Sequence, residues 1–248
     1  MMRPPHVVAI IQARMGSSRL PAKVMKSVAG RPMIDHVIQR ARNISGVHQV
    51  VVATSTNAAE GPLVEHVSSM PEVALFRGPE DDVLTRYYEA AAAFEADIVM
   101  RITGDCPLLS PRTSTHVLEA YLKNRTLCDY VSNTLRRTFP RGLDTSVMGF
   151  DTLERAHKQA TTRAQREHVT VVIWSNPKQF NLLNIYDRRD RHHHRWTVDT
   201  AEDLELVRKI YDALSHGSNI FEYDEVLKLL ERHPQWQKIN SHIPQKGP

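Results

Sequence analysis

The stretch 6-HVVAIIQARMGSSRLPAK-23 decides how the rest of the chain is interpreted. Its first seven residues are rich in β-branched side chains and lie between two prolines and a polar loop, which is typical of a buried strand. The loop that follows carries three basic residues, one glycine and two serines. In sheets of parallel strands, ligands bind beyond the carboxyl ends of the strands. We therefore expect the ligand of this protein at residues 12–23.

Strands and helices are predicted to alternate along most of the chain. Apolar runs predict strands at 6–12, 48–54, 73–77, 97–103, 129–133, 179–186 and 195–198, and helical periodicity predicts helices at 32–43, 60–69, 81–96, 112–124, 151–160, 163–174, 201–214 and 222–232. This alternation indicates an α/β fold, with a mostly parallel central sheet and helices on both of its faces.

Residues 134–150 interrupt the alternation, since they contain Pro and Gly and show no helical period. We expect them to form a loop and a short strand that project from the main sheet. Residues 1–236 are interpreted as one domain. Domains average about 150 residues, so a chain of 248 residues forms one large domain with at most a small additional segment. Residues 237–248 are expected to form a loose tail.

Composition excludes several classes of protein. Of the 248 residues, 41% are hydrophobic and 24% are charged, which is ordinary for a globular protein and unlike disordered, collagen-like or coiled-coil chains. The apolar runs are far shorter than the roughly 18 residues of a membrane span, and the N-terminus lacks the pattern of a signal peptide. With Cys106 and Cys128 as its two cysteines, we expect a cytoplasmic protein that binds no membrane.

The charge balance favours a small anionic ligand. The formal net charge is +4, and the 32 basic residues divide into 23 Arg and 9 Lys. The planar guanidinium group of Arg matches the oxygens of carboxylates and phosphates. No block of five like charges occurs, and the aromatic residues, 6% of the chain, are scattered. We therefore expect no nucleic-acid partner.

The loop after the first strand has the composition of a triphosphate site. Gly16 allows backbone amides to approach a ligand closely, and Ser17 and Ser18 add hydroxyl donors. The positive charges that would balance a triphosphate come from Arg14, Arg19 and Lys23. The glycine patterns of P-loops and of dinucleotide-binding folds are both missing from the sequence. A solvated basic loop without a ligand is the alternative interpretation.

Two aspartates are expected to meet this loop. Asp105 follows the strand at 97–103 and Asp199 follows the strand at 195–198. If these strands are parallel, both carboxylates emerge at the edge that carries the basic loop. Two carboxylates beside a polyphosphate repel it unless a cation intervenes, and Mg²⁺ binds through one or two carboxylates plus phosphate oxygens. In the alternative, Asp105 forms a turn, and Asp199 caps the following helix in competition with Thr200.

Six stretches resemble the sugar-acid cytidylyltransferases. They are 10-IIQARMGSSRLPAKVM-25, 77-RGPEDDVLTRY-87, 101-RITGDCPLLSP-111, 139-FPRGLD-144, 166-REHVT-170 and 196-WTVDTAEDLELV-207. That family includes the CMP-Kdo synthetases and the acylneuraminate cytidylyltransferases, and the sequence is most similar to its branch named for spore-coat polysaccharide biosynthesis protein F. The resemblance extends from about residue 7 to about residue 215 and implies a GT-A-like nucleotidyltransferase fold.

The resemblance also implies an activity and a set of site residues. The expected reaction is Mg²⁺-dependent transfer of CMP from CTP to a sugar acid, with release of pyrophosphate. Triphosphate contacts are implied for Arg14, Gly16, Ser17, Arg19 and Lys23, base contacts for Gln12, Ala13 and Thr54, and metal ligation for Asp105 and Asp199. Catalysis is assigned to Arg14, Lys23, Asp105 and Asp199. Such enzymes are often homodimers, with the projecting segment at the interface.

The acceptor sugar is expected to face the segments 139–144 and 166–170. Arg141 suits a carboxylate, Asp144 suits sugar hydroxyls, and His168 suits a base or a hydrogen-bond donor. Gly142 is compatible with a tight turn, which is also the structural alternative for this loop. Three functional alternatives stay open: a nucleotidyltransferase with another NTP or with a non-sugar or phosphorylated acceptor, a nucleotide-binding protein without turnover, and a glycosyltransferase of the same fold.

Overall fold

The computed structural model describes residues 3–215 and 220–244. Within them lie nine strands: Val7–Gln12 (β1), Ser27–Val28 (β2), Arg31–Pro32 (β3), Gln49–Ser55 (β4), Ala74–Gly78 (β5), Ile98–Thr103 (β6), Tyr130–Ser132 (β7), Ser146–Gly149 (β8) and Leu182–Asn184 (β9). Seven strands form a central sheet in the order β5-β4-β1-β6-β8-β7-β9, and β2 pairs with β3 in a small hairpin. Every strand of the central sheet except β8 runs in the same direction. The predicted mostly parallel sheet is confirmed.

Strand β1 lies between β4 and β6 in the parallel part of the sheet. Its residue Gln12 is in register with Ala53 on one side and with Thr103 on the other. Residues 7–11 are all buried, because helices cover both faces of the strand, and this explains the unbroken apolar run in the sequence. The register places the loops after β1 and β6 side by side at one edge of the sheet.

The described residues also contain ten α-helices: Met33–Arg42 (α1), Gly61–Ser68 (α2), Val83–Ala93 (α3), Pro111–Asn124 (α4), Phe150–Gln159 (α5), Arg163–Glu167 (α6), Val171–Trp174 (α7), Ala201–Leu214 (α8), Tyr223–Arg232 (α9) and Pro234–Gln237 (α10). One hydrophobic cluster joins α1, α2, α4, α8 and α9 to one face of the sheet. A second cluster joins α3, α5 and α7 to the other face. Helices on both faces, as predicted, are therefore confirmed.

The segment 134–150 differs from its prediction. Its strand β8 does not project but lies inside the sheet, antiparallel to both β6 and β7. All four residues of β8 are buried. Pairing on both edges satisfies the backbone hydrogen bonds that such burial requires. The loop that precedes β8 is anchored as well, since Phe139 and Leu143 belong to the hydrophobic core.

Three other predicted elements are shorter or interrupted. The helix expected at 163–174 divides into α6 and α7, and Val169 between them has a left-handed φ of 44°. The strand expected at 179–186 contracts to β9. Of the strand expected at 195–198, the structure keeps a single parallel bridge, between Arg141 and Arg195.

The C-terminal segment is packed further than expected. Asn240 is buried, and its side-chain amide donates to the Arg195 carbonyl at 2.8 Å and to Asp203 Oδ1 at 2.9 Å. The expectation of a loose tail from residue 237 therefore does not hold as far as Asn240, and residues 245–248 lie outside the described residues. In the part of the chain that the structure describes, no helix is both long enough and apolar enough to cross a membrane.

Candidate active site

A cavity of about 560 Å³ opens at the carboxyl ends of β1 and β6. This is the edge where the sequence places the ligand. The predicted residues that line the cavity are Gln12, Ala13, Arg14, Gly16, Ser17, Ser18, Arg19, Lys23, Asp105, His168 and Asp199. Residues 24, 83, 101, 103, 104 and 167 line it as well. One concave site thus unites the basic loop, both aspartates and a residue predicted to face the acceptor.

Hydrogen bonds to a buried carboxylate hold the basic loop at its start. The Met15 amide donates to Glu60 Oε2 at 2.8 Å, and the Thr54 hydroxyl donates to the same oxygen at 2.9 Å. Thr54 is fully buried and does not line the cavity, so the structure does not bring it to a ligand. Its contact with Glu60 instead connects strand β4 to the loop. The loop closes where the Ala22 amide donates to the Met15 carbonyl at 3.0 Å.

Lys23 lies between the two aspartates. Its ammonium nitrogen donates to Asp105 Oδ2, to Asp199 Oδ1 and to the Val198 carbonyl, each at 2.8 Å. Burial alone would lower the pKa of Lys23, but the charges and hydrogen bonds of Asp105 and Asp199 raise it above its ordinary value. The ammonium group has three N–H donors, and all three are used by these oxygens. Lys23 therefore joins the aspartates to each other.

The two carboxylates differ in their other partners. Burial alone would raise the pKa of Asp105, but the charge and hydrogen bond of Lys23 lower it below the usual range. Asp199 Oδ2 accepts from Arg195 at 2.8 Å and lies 3.2 Å from Arg19. Asp199 does not cap helix α8, because Thr200 does so in a capping box with Asp203. Three cationic side chains thus contact the pair formed by Asp105 and Asp199.

The donor set at this point fits a magnesium ion. Two carboxylates and one carbonyl oxygen already surround a single cationic group, the Lys23 ammonium. Within residues 3–215 and 220–244, no three His, Cys, Asp or Glu side chains converge to form a complete metal site. Mg²⁺ is usually held by one or two carboxylates together with substrate phosphates and water. Asp105 and Asp199 therefore suit a metal that arrives with a phosphate ligand.

A second cavity, of about 730 Å³, adjoins the first. Arg101 and His168 line both cavities. The wall of the second cavity also contains Arg137, Arg141 and the aromatic ring of Trp174. Its remaining lining residues are Thr134, Leu135, Thr170, Val171, Pro177 and Leu182. A basic end and an apolar side are thus combined in one space.

Only some of the residues predicted to bind the acceptor line the second cavity. Arg141 lines the second cavity, and burial together with the charge of Arg137 lowers its pKa. Asp144 does not line either cavity, and its two oxygens accept a bidentate pair from Arg137 at 2.5 and 2.7 Å. Gly142 has a φ of 101°, and a Cβ there would lie 2.7 Å from the Trp196 backbone. The turn at Gly142 therefore positions Arg141 beside the cavity.

Three residues near the cavities were missed by the sequence reasoning. Glu60 and Arg195 act through other residues, and no local pattern marks either of them. Arg101 is different, because it is the one charged residue in the otherwise apolar strand β6, 98-IVMRIT-103. A charge within a buried strand is a signal that can be detected in a sequence.

A family model described as cytidylyltransferase matches residues 8–231. The spore coat polysaccharide biosynthesis protein SpsF of Bacillus subtilis is 29% identical over 236 residues, which cover 92% of this chain and 95% of that protein. The family model's range includes every predicted residue of the two cavities.

Two solved structures are similar to this one. A cytidylyltransferase from Leptospira borgpetersenii superposes with a TM-score of 0.89 at 27% identity, over 98% of this chain and 100% of that one. A CMP:2-keto-3-deoxy-manno-octonic acid synthetase complexed with CTP superposes with a TM-score of 0.64, over 84% of this chain and 99% of that one. At 21% identity, the second likeness shows the fold alone. The predicted nucleotidyltransferase fold is confirmed.

Proposed function

The chain belongs to the cytidylyltransferase family and is a nucleotidyltransferase, and from this premise we propose that it transfers CMP from CTP to a sugar acid. Pyrophosphate is the other product, and the CMP-sugar serves as a precursor of a surface polysaccharide or glycan. The likeness of the motifs to the spore-coat branch is supported by the match to SpsF. The synthetase with a similar fold was solved in complex with CTP. It is named for a sugar acid, 2-keto-3-deoxy-manno-octonic acid.

One observation carries the proposal. Asp105 and Asp199 lie 2.8 Å from one cationic nitrogen, and they do so in the cavity that the basic loop lines. A nucleoside triphosphate needs positive charge for its phosphates and a cation at the reacting phosphorus. Arg14 and Arg19 supply the positive charge, and the two carboxylates are suited to hold the cation. This combination favours phosphoryl transfer over simple anion binding.

The nucleotide binds along β1 and the loop after it. Arg14 and Arg19 neutralise the phosphates and stabilise the pyrophosphate as it leaves, while Ser17 donates to phosphate oxygens. The Oε1 atom of Gln12 is buried and has no hydrogen-bond partner among the described residues. It is an acceptor in the wall of the cavity and suits an N–H donor of the base.

Asp105 and Asp199 would hold Mg²⁺, which supplies charge neutralisation at the transferred phosphate when it is bound. Lys23 holds the two carboxylates together in the free protein. Lys23 lines the same cavity and would add its positive charge to those that face the phosphates. Positioning and electrostatics then provide the rate enhancement, and the loss of one charged group lowers the rate by about 10²–10³-fold.

The acceptor binds in the second cavity, with its attacking hydroxyl toward the first. Arg141 lies at its basic end, and His168 stands in the wall that the two cavities share. The hydroxyl oxygen attacks the α-phosphorus while its proton passes to His168 or to water, and the bond from that phosphorus to the pyrophosphate oxygen breaks. Because the two cavities adjoin, a nucleotide in one and an acceptor in the other have their reacting groups close together.

Nucleotide binding and turnover test the proposal separately. In a thermal-shift series with Mg²⁺, we expect CTP to raise the melting temperature more than UTP, GTP or ATP does. A pyrophosphate-release assay over a panel of sugar acids then measures turnover. A preference for another triphosphate contradicts the cytidylyl specificity, and no response to any of the four contradicts nucleotide transfer.

The metal ligands are tested by substitution. Asp105→Asn and Asp199→Asn should each lower the rate by about 10²-fold or more while the circular dichroism spectrum is kept. Asp212→Asn is the matched control, because Asp212 is exposed on α8 and forms no ion pair with the residues that the structure describes. Near-normal activity in either cavity variant refutes the metal assignment.

We also propose a homodimer, on the likeness to the family alone. The segment expected at the interface includes β8, and because both edges of β8 are paired inside the sheet, this strand offers no free edge to a second copy. Light scattering distinguishes a monomer of 28.3 kDa from a species of twice that mass.

A further inference from the structure

Arg101 has an unusual position for a charged residue. It lies within strand β6, in register with Ile10 of β1 and Ser146 of β8. Its Nε atom is buried and has no hydrogen-bond partner among the described residues, and no carboxylate there forms an ion pair with it. A buried N–H donor without a partner is costly, and the residue as a whole is partly exposed at the two cavities, so a ligand that supplies an anion there would satisfy it.

The hydroxyl groups beside Arg101 are already used. Ser146 Oγ lies 2.7 Å from the Tyr130 hydroxyl and 3.1 Å from Ser132 Oγ, so these three side chains satisfy one another. None of these hydroxyl groups forms a hydrogen bond with the guanidinium group in the part of the chain that the structure describes. Because a strand in the middle of a sheet cannot shift, the base of the Arg101 side chain is fixed.

Arg101 lines both cavities. The other arginines there differ in whether a carboxylate of the protein neutralises them. The nucleotide cavity has its own basic residues, Arg14 and Arg19. In the second cavity, Arg137 is neutralised by Asp144 through a bidentate pair. Arg141 has no carboxylate partner within residues 3–215 and 220–244. The second cavity therefore presents two arginines, Arg101 and Arg141, that lack an anionic partner among the described residues.

We propose that Arg101 is a specificity-determining residue that binds a carboxylate of the acceptor at the junction of the two cavities. The inference rests on the proposed function. The planar guanidinium group of Arg101 donates two N–H hydrogen bonds to a carboxylate, and the place of Arg101 at the junction puts that carboxylate close to the attacking hydroxyl. Arg141 adds a second charge from the opposite loop.

Binding measurements in the presence of CMP and Mg²⁺ test this inference. The acceptor probes are 3-deoxy-manno-octulosonate, neutral fructose and fructose 6-phosphate. We expect Arg101→Gln to weaken binding of the sugar acid by roughly 10- to 100-fold, the range of a charge-assisted hydrogen bond. Arg101→Lys should lose part of that affinity, since it keeps the charge without the fork. Fructose should not bind measurably to any variant.

Arg136→Gln is the matched control. Arg136 is exposed on the loop before β8, does not line either cavity, and has no side-chain partner among the described residues. Its affinity for the sugar acid should equal that of the wild type. In the wild-type protein, the ¹⁵N–¹H resonance of Arg101 Nε should shift when the sugar acid is added and should not shift with fructose, which supplies a measurement that needs no variant to fold.

The outcomes separate the inference from the proposed function. Unchanged affinity for the sugar acid in Arg101→Gln, or a wild-type protein that binds CTP but shows no Nε shift with the sugar acid, overturns the inference alone. Weaker CTP binding in Arg101→Gln also overturns it and assigns the residue to the nucleotide phosphate. Preferential binding of fructose 6-phosphate overturns the carboxylate in favour of a phosphate. A wild-type protein that binds no nucleotide overturns the proposed function, and the inference with it.

Discussion

Replacement of Lys23 by methionine tests whether the ammonium group holds the two aspartates together. Lys23 Nζ lies 2.8 Å from one oxygen of Asp105 and 2.8 Å from one oxygen of Asp199. These two oxygens are therefore at most about 5.6 Å apart, by the geometry of the shared nitrogen. Methionine keeps most of the length of the side chain but removes the charge and all three hydrogen bonds. The carboxylates are then left facing each other.

The expected loss of stability follows from the distance between the two carboxylates. Two like charges at about 5.6 Å repel by about 3 kcal/mol at an effective dielectric constant of about 20. Both carboxylates are mostly shielded from solvent, with side-chain exposures of 26% and 23%. Arg19 and Arg195 stay in contact with Asp199 and offset part of the repulsion. We expect the free energy of unfolding to fall by about 2 kcal/mol at neutral pH without metal.

Urea denaturation with and without magnesium measures the effect. Mg²⁺ should stabilise Lys23→Met by about 1 kcal/mol at a concentration several times its dissociation constant, because the freed carboxylates bind it in the native state alone. The wild-type protein without nucleotide should respond less, since Lys23 already occupies the carboxylates. Activity with CTP is not needed for this measurement.

Lys178→Met is the control for the loss of a lysine. Lys178 is exposed and forms no ion pair with the described part of the chain, so its variant should keep the stability of the wild type with and without Mg²⁺. The reasoning is refuted if Lys23→Met is as stable as the wild type, or if Mg²⁺ stabilises all three proteins equally.

Three further predictions concern pH, backbone strain and thiol reactivity. Burial lowers the pKa of His36 to about 4 in the native state, so its stabilising contribution is complete above pH 6.5 and is lost as the pH falls toward 4. Between pH 7 and pH 5, the free energy of unfolding measured in urea should fall by about 2 kcal/mol because of His36. A His36→Gln variant whose free energy of unfolding changes with pH as steeply as that of the wild type would contradict this. Gly142→Ala should lower the free energy of unfolding by about 2 kcal/mol or more, because φ is 101° and the new Cβ would lie 2.7 Å from the backbone of Trp196. Gly16→Ala is the control and should melt like the wild type, because no atom lies within 4 Å of its new Cβ. Equal melting temperatures of the two variants would refute the strain at Gly142. Burial raises the pKa of Cys106 well above its ordinary value, so a thiol reagent should modify it only after denaturation, and rapid labelling of the native protein would be the opposite result.

The local signals in the sequence were sufficient for the parallel half of the sheet. Strands β1, β4, β5 and β6 and the helices between them follow from apolar runs and periodicity, because both are consequences of burial on two faces. The same reasoning failed for 163–174, where a helical pattern is interrupted at Val169. It also failed for β8, whose place inside the sheet depends on its pairing with two strands distant in the chain.

The candidate site shows the same division. The basic loop and Asp105 could be found because each comes directly after a strand. Asp199 lines the cavity, although its predicted strand is reduced to a single bridge at Arg195. Thr54 was expected near the base, yet its hydroxyl is turned to Glu60. Arg101 was overlooked, although a charge within an apolar strand was visible in the sequence.

By itself, the sequence determined the α/β class, the edge of the sheet that carries the site, and the residue types that gather there. Those properties depend on periodicity and on the residues directly after each strand, and both are local. Only the tertiary structure decided that Lys23 joins Asp105 and Asp199, which are 82 and 176 residues away from it. It alone also decided that Arg101 stands between two cavities. Such contacts are set by the packing of distant segments against one sheet, because a pattern of burial specifies which side chains turn inward but not which of them meet.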